Sequence, residues 1–205
     1  MIVVYGASGT VGQRIAAALV DRGAAVRLAG RDRVRLLAVA DELGLVPDDV
    51  TAAPIHDAAA LARAFADATC VVSAAGPYGR VGAAVAAAAL AADAHYLDLA
   101  IEPGFVRGLY EEHESEARRR GRCMVSGVGA LGALGDWAAD AAAGALPLAP
   151  GDDDAIDYLE VAYAFDGARV ATGMGRSLVA ALAGPALAWR RGRWDEVAPI
   201  ARSSH

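Results

Sequence analysis

Lysine and asparagine are absent from this 205-residue chain, and all 19 of its basic residues are arginine. Without lysine there is no Schiff-base amine, no P-loop lysine and no Tyr-x-x-x-Lys proton-transfer pair. Without asparagine there is no N-linked glycosylation site. Cysteine is scarce too. Cys70 and Cys123 each fall in an apolar run that reads as a strand, which predicts buried, reduced thiols and neither a disulfide framework nor a metal site. A net charge of −6 supplies no positive field to hold nucleic acid or an anionic membrane, so neither is expected as a partner. Long apolar runs are lacking as well: residues 81–92, closed by Arg80 and Asp93, fall short of the roughly 18 residues a membrane span needs. Met1 leads straight into Ile-Val-Val-Tyr without a charged n-region or a cleavage site, which gives a cytoplasmic expectation.

What remains, 56% apolar and 21% charged, is the composition of a folded chain with one large domain or one and a part. Short β-branched runs alternate with alanine- and leucine-rich stretches over the first ~125 residues, the rhythm of βαβ units around a parallel sheet. Six strands are predicted, at 2–5, 25–29, 50–55, 69–74, 95–99 and 122–127. In the first helical gap Val11, Ile15, Ala18 and Leu19 recur at helical spacing, predicting a helix packed on the sheet. A helix over 103–120 opens on Pro103 and ends on three arginines before Gly121. Then come a glycine-rich stretch, GVGALGALGD, a helix at 135–145 and a loop at 147–154. A strand at 155–165, a helix at 173–183 and a hairpin turning at Arg191-Gly192 complete the pattern. The expected organisation is a Rossmann-type, doubly wound parallel sheet over 1–127, with 128–205 as part of a second α/β domain for substrate binding or dimerisation. Alone, the roughly 50 residues beyond the 147–154 loop would bury too little apolar surface to be stable.

The strongest chemical signal is GASGTVG, running Gly6, Ala7, Ser8, Gly9, Thr10, Val11 and Gly12 between a strand and a helix. Gly6 allows the turn out of the strand, Gly9 lets backbone amides approach a pyrophosphate, and Gly12 permits close helix packing. The helix N-terminus favours the anion without a basic side chain. The second strand then runs into Gly30-Arg31-Asp32-Arg33, where NAD-binding chains carry a carboxylate. A guanidinium at Arg31 can fork onto a 2′-phosphate, so NADP is expected over NAD, with Arg33 a weaker candidate and Asp32 a possible helix cap.

Ligands of open parallel sheets lie beyond the carboxyl ends of the strands. There the fourth strand exits into Ala74, Ala75, Gly76, Pro77 and Tyr78, small residues beside a hydroxyl, and the fifth exits through Asp98 to Glu102. Tyr78, Asp98 and Glu102 are the candidates for proton handling or substrate binding; as alternatives, Tyr78 is a packed aromatic and Glu102 a helix-start acid. His95 reads as structural and His113 as solvated.

GASGTVG, AGPYG after the fourth strand, HYLDLAIEPGF after the fifth and RSLVAALAGPALAWRRGRW near the end together resemble the saccharopine dehydrogenase-like oxidoreductases, including their trans-acting enoyl reductase branch. The resemblance implies an NADP(H)-dependent Rossmann domain followed by an α/β domain whose sheet often makes a homodimer. It implies hydride transfer to or from a small C=N, C=O or C=C substrate. Two departures accompany it. The family's Gly-Phe-Asp-x-x-Pro-x-Asp segment is replaced by Gly129 to Asp136, and the chain reads as ending inside the second domain. A non-catalytic NADP-binding or redox-sensing module is the alternative. Short-chain dehydrogenases and sugar-nucleotide epimerases share the opening loop but need the missing lysine, and a semialdehyde dehydrogenase would need Cys123 as a nucleophile.

Overall fold

The structure, a computed structural model, describes residues 1–146, 159–164, 166–167, 172–183, 186–190 and 193–197. Six parallel strands lie in the order β3-β2-β1-β4-β5-β6: β1 (Ile2–Tyr5), β2 (Val26–Gly30), β3 (Val50–Ala52), β4 (Cys70–Ser73), β5 (His95–Asp98) and β6 (Met124–Val125). That order is the Rossmann arrangement, and it reverses between β1 and β4. The fold expectation holds. The strands shorten towards the sheet edges: β3 stops at Ala52, and β6 keeps two of its six predicted residues.

Helices α1 (Thr10–Val20) and α2 (Arg33–Glu42) cover one face, and α3 (Ala58–Phe65), α4 (Tyr78–Ala91) and α5 (Pro103–Arg120) the other. Neighbouring residues of one strand therefore serve opposite cores. Val3 packs with Phe65, Val71, Val85, Tyr96 and Leu109, while Val4 packs with Leu28, Leu36 and Val39. Both valines are fully buried, which is why the strands read as continuous apolar runs rather than alternating ones. Each such side chain contributes about 1.5–3 kcal/mol of transfer free energy. Val11 departs from the predicted stripe: at the start of α1 it is 40% exposed, while Ile15 and Leu19 pack on the core.

The termini of α5 follow its sequence signals, with Pro103 at its start and Gly121 closing it at φ 63°. Arg118 and Arg120 pair with Glu114 and Glu116 one turn back, pairs that stabilise an exposed helix only slightly. The thiols differ from expectation. Cys123 is exposed because β6 begins one residue later, and Cys70 is half-buried on a strand flanked by only short neighbours.

Helix α6 (Ala130–Gly144) begins five residues before its predicted start. Its glycines belong to a turn that repeats the first one: Gly127 has φ 79° where Gly6 has 82°. In each turn the glycine five or six positions on passes so close that a Cβ would overlap the carbonyl oxygen of the first, Gly12 over Gly6 and Gly132 over Gly127. Beyond it lie α7 (Thr172–Ala183) and an antiparallel pair, β7 (Ala186–Arg190) and β8 (Arg193–Val197), as the sequence predicts. Residues 159–164 form no strand. A Cβ on Gly135 would overlap the Tyr163 hydroxyl, so this segment meets α6 by a side chain instead of pairing. The predicted loop at 147–154, the rest of the predicted strand and the turn at 191–192 lie outside the described residues. Among the described residues no helix is long and apolar enough to cross a membrane.

Candidate cofactor and reaction site

The glycine loop sits where the strand order reverses. Gly6 takes a left-handed turn, its amide donating to the Ala29 carbonyl at 2.8 Å, and the Gly9 amide donates to the Gly6 carbonyl at 3.0 Å. Gly9 then caps α1 without any side-chain hydrogen bond, so the first-turn amides of the helix carry no side-chain acceptor. The loop after β4 presses on the same point: a Cβ on Gly6 would lie 2.9 Å from both Cβ and N of Ala75. Gly12 is equally constrained, since its Cβ would lie 2.8 Å from Ala7 Cα. Unfilled amides inside a cradle that side chains would block suit a pyrophosphate.

Arg31, Arg33 and Arg35 follow β2, all exposed. Asp32 caps α2 by accepting from the Arg35 amide at 3.1 Å, which leaves the arginines as the charged groups beside the loop. Arg31 stands near enough to Tyr5 to offset part of the upward push that burial gives the Tyr5 phenol. Arg35 reaches the loop itself: its guanidinium donates to the Ser8 carbonyl at 3.0 Å. Sequence reasoning missed this residue, whose one signal is the alternate spacing of three arginines.

Tyr78, Asp98 and Glu102 are 5%, 1% and 5% exposed, and the fold brings them together. Glu102 accepts from the Tyr78 amide at 2.9 Å and from the Ile101 amide at 3.1 Å, tying the start of α5 to the start of α4. The Tyr78 hydroxyl donates to the Ser73 carbonyl at 2.9 Å. Burial first, then the Asp98 carboxylate, pushes this phenol well above the usual tyrosine range, so it stays protonated at neutral pH. Asp98 accepts from the Ala100 amide at 2.9 Å, the Gly127 amide at 3.0 Å and the Ser126 hydroxyl at 2.8 Å. It joins the ends of β5 and β6. Ala74, Ala75, Gly76 and Pro77 form the rim between this network and the glycine loop.

His95 accepts from the Cys123 amide through Nδ1 at 2.9 Å, a structural contact. His113 is half-buried where solvent exposure was expected. It edges a cleft of about 290 Å³ between α4 and α5 that Phe105 and Leu109 line, away from the glycine loop.

Residues 2–125 match the family model described as the saccharopine dehydrogenase NADP binding domain. A Mycobacterium tuberculosis protein whose name proposes a trans-acting enoyl reductase is 38% identical over 135 residues, covering 62% of this chain and 32% of that one. The trans-acting enoyl reductase of Mycobacterium ulcerans is 33% identical over 132 residues with the same coverage, 62% and 32%. The match thus spans about a third of the length of these curated relatives, 32%. Among solved structures, the Citrobacter sp. triphenylmethane reductase complexed with NADP(H) aligns at a TM-score of 0.47 and 18% identity, over 62% of this chain and 48% of that one.

Proposed function

We propose a function from one premise: the chain belongs to the saccharopine dehydrogenase NADP binding domain family. Its cofactor is NADP(H), and its function is that of an oxidoreductase acting on a small substrate with a C=C, C=O or C=N bond. The names of its mycobacterial relatives favour the enoyl C=C. Bound NADPH supplies the hydride; the protein supplies position and charge. Gly6 to Gly12 hold the pyrophosphate on backbone amides. Arg31 and Arg35 hold the 2′-phosphate, a group that a carboxylate at this place would repel. Ala74 to Pro77 form the small-residue rim that admits the nicotinamide end. Glu102 fixes the end of that rim through the Tyr78 amide, Asp98 holds β5 against β6, and Tyr78, kept protonated by burial, holds the proton available to substrate.

The observation that carries this reading is the glycine cradle at the strand-order reversal with arginines beyond β2. The exposed Val179 and Leu182 of α7, 68% and 79% accessible, support a homodimer built from a second unit beginning near residue 128. Calorimetric titration with NADPH and NADH, alongside solution mass, tests both parts. The expected result is a dimer that binds NADPH at least tenfold more tightly than NADH. A folded chain that binds neither nucleotide overturns the reading. The second reading, an NADP-holding module without turnover, is favoured by one feature: Tyr78, Asp98 and Glu102 all make internal hydrogen bonds. It predicts binding without NADPH oxidation against enoyl thioesters, aldehydes and imines.

A further inference from the structure

Four polar side chains are buried among the described residues: Ser73, Asp98, Glu102 and Ser177. The first three lie at the strand ends and on the loop already described. Ser177 comes from α7, a hundred positions along the chain, and takes no part in the network of Tyr78, Asp98 and Glu102. It is 4% exposed, while its apolar neighbours on the same helix face outward: Met174 at 43%, Leu178 at 44%, Val179 at 68% and Leu182 at 79%. A helix docked for hydrophobic reasons would bury the leucines and expose the serine. This helix does the opposite.

The place where Ser177 is buried gives the reason. A Cβ on Gly76 would lie 2.9 Å from the Ser177 hydroxyl oxygen, so the hydroxyl lies against the rim after β4, and only a glycine there lets it approach. The adjacent residue, Ala75, is the one that presses on Gly6 at the head of the glycine loop. The serine thus stands one residue from the junction of the two cofactor loops. Burying a hydroxyl costs free energy unless it finds a partner, and a polar ligand at that rim is one partner within reach of an inward serine.

We infer that Ser177 contacts the nicotinamide end of the cofactor, its hydroxyl donating to the carboxamide oxygen, so that α7 supplies a cofactor ligand from outside the sheet domain. The inference rests on the NADP(H) reading above, and the test separates the two. Wild-type protein and Ser177→Ala are titrated with NADPH, with thionicotinamide NADPH, whose carboxamide oxygen is replaced by sulfur, and with 2′,5′-ADP, which has no nicotinamide. Loss of one neutral hydrogen bond corresponds to about three- to tenfold in affinity. Ser177→Ala is expected to bind NADPH weaker by that factor and 2′,5′-ADP as wild type does. Wild type is expected to prefer NADPH over the thio analogue by a similar factor, and the variant to lose that preference. Equal NADPH affinity of wild type and variant overturns the inference, as does equal weakening of NADPH and 2′,5′-ADP. If the variant does not fold, the wild-type comparison alone decides, and equal affinity for the two reduced nucleotides overturns it. Failure of wild type to bind 2′,5′-ADP would instead overturn the cofactor reading itself.

Discussion

Replacing Asp98 separates a structural from a chemical role for this carboxylate. Its Oδ1 accepts from the Ala100 amide, the Gly127 amide and the Ser126 hydroxyl, at 2.8–3.0 Å, in a side chain only 1% exposed. Asp98→Ala leaves two amides and a hydroxyl without their acceptor. Each buried orphan costs about 1–3 kcal/mol, and partial access of water to Ser126 and Gly127 favours the lower end, so the variant is expected to lose about 3–5 kcal/mol. Asp98→Asn keeps a carbonyl oxygen where Oδ1 was, and the rotatable Ser126 hydroxyl can accept from the new amide group. It forfeits only charge assistance, about 1–2 kcal/mol. Urea denaturation followed by circular dichroism, with unchanged m-values as the check on two-state behaviour, measures both. The expected order is wild type, then Asn, then Ala, with at least about 1.5 kcal/mol between the variants. Equal losses, or a loss below about 1 kcal/mol for Ala, would refute the latch between β5 and β6.

Gly12→Ala forces a Cβ onto the Gly6 carbonyl and within 2.8 Å of Ala7 Cα, so NADPH binding measured by calorimetry is expected to fall by more than about a hundredfold, with a lowered melting temperature. Arg31→Ala and Arg35→Ala each remove a guanidinium beside the loop; each is expected to cut the preference for NADPH over NADH by about tenfold while NADH affinity stays level in paired titrations. Titration with a thiol-reactive disulfide reagent is expected to modify Cys123 quickly and Cys70 slowly, because Cys123 is exposed while burial pushes the Cys70 thiol upward and lowers its thiolate fraction.

The sheet was legible from its centre, because β1 and β2 are buried on both faces and an unbroken run such as IVVY could be nothing amphipathic. The strand–turn–helix geometry of the glycine loop was legible for an equally local reason, since strand, glycines and helix follow one another without a gap. Strand ends were not, as pairing stops where the neighbouring strand stops, and Cys123 fell outside the sheet on that account. The start of α6 was obscured because glycine is counted against a helix, whereas Gly132 is there to pass over the Gly127 carbonyl. Tyr78, Asp98 and Glu102 could be named from their strand-end positions, but the hydrogen bonds that join Tyr78 to Glu102, Leu99 to Tyr78 and Gly127 to Asp98 cross 21 to 29 positions of sequence and carry no periodic trace. Arg35 and Ser177 lie further still from pattern reasoning. One is a charged residue on an exposed helix turn, the other a serine inside an apolar helix, and only the folded chain brings them to the two ends of the same loop system.

The two matching glycine turns differ in what their amides face. At the second, the Asp98 carboxylate already accepts from the Gly127 amide, and the Asp98 carbonyl accepts from the Val128 amide at 2.8 Å. That turn is self-ligated: the chain provides its own anion, and a second one arriving there would meet a negative charge of the same sign. At the first turn no acidic side chain plays this part, and the nearest ionised groups are arginines. One backbone shape is therefore used twice in opposite charge surroundings, closed by a carboxylate in one half of the sheet and left open beside arginines in the other.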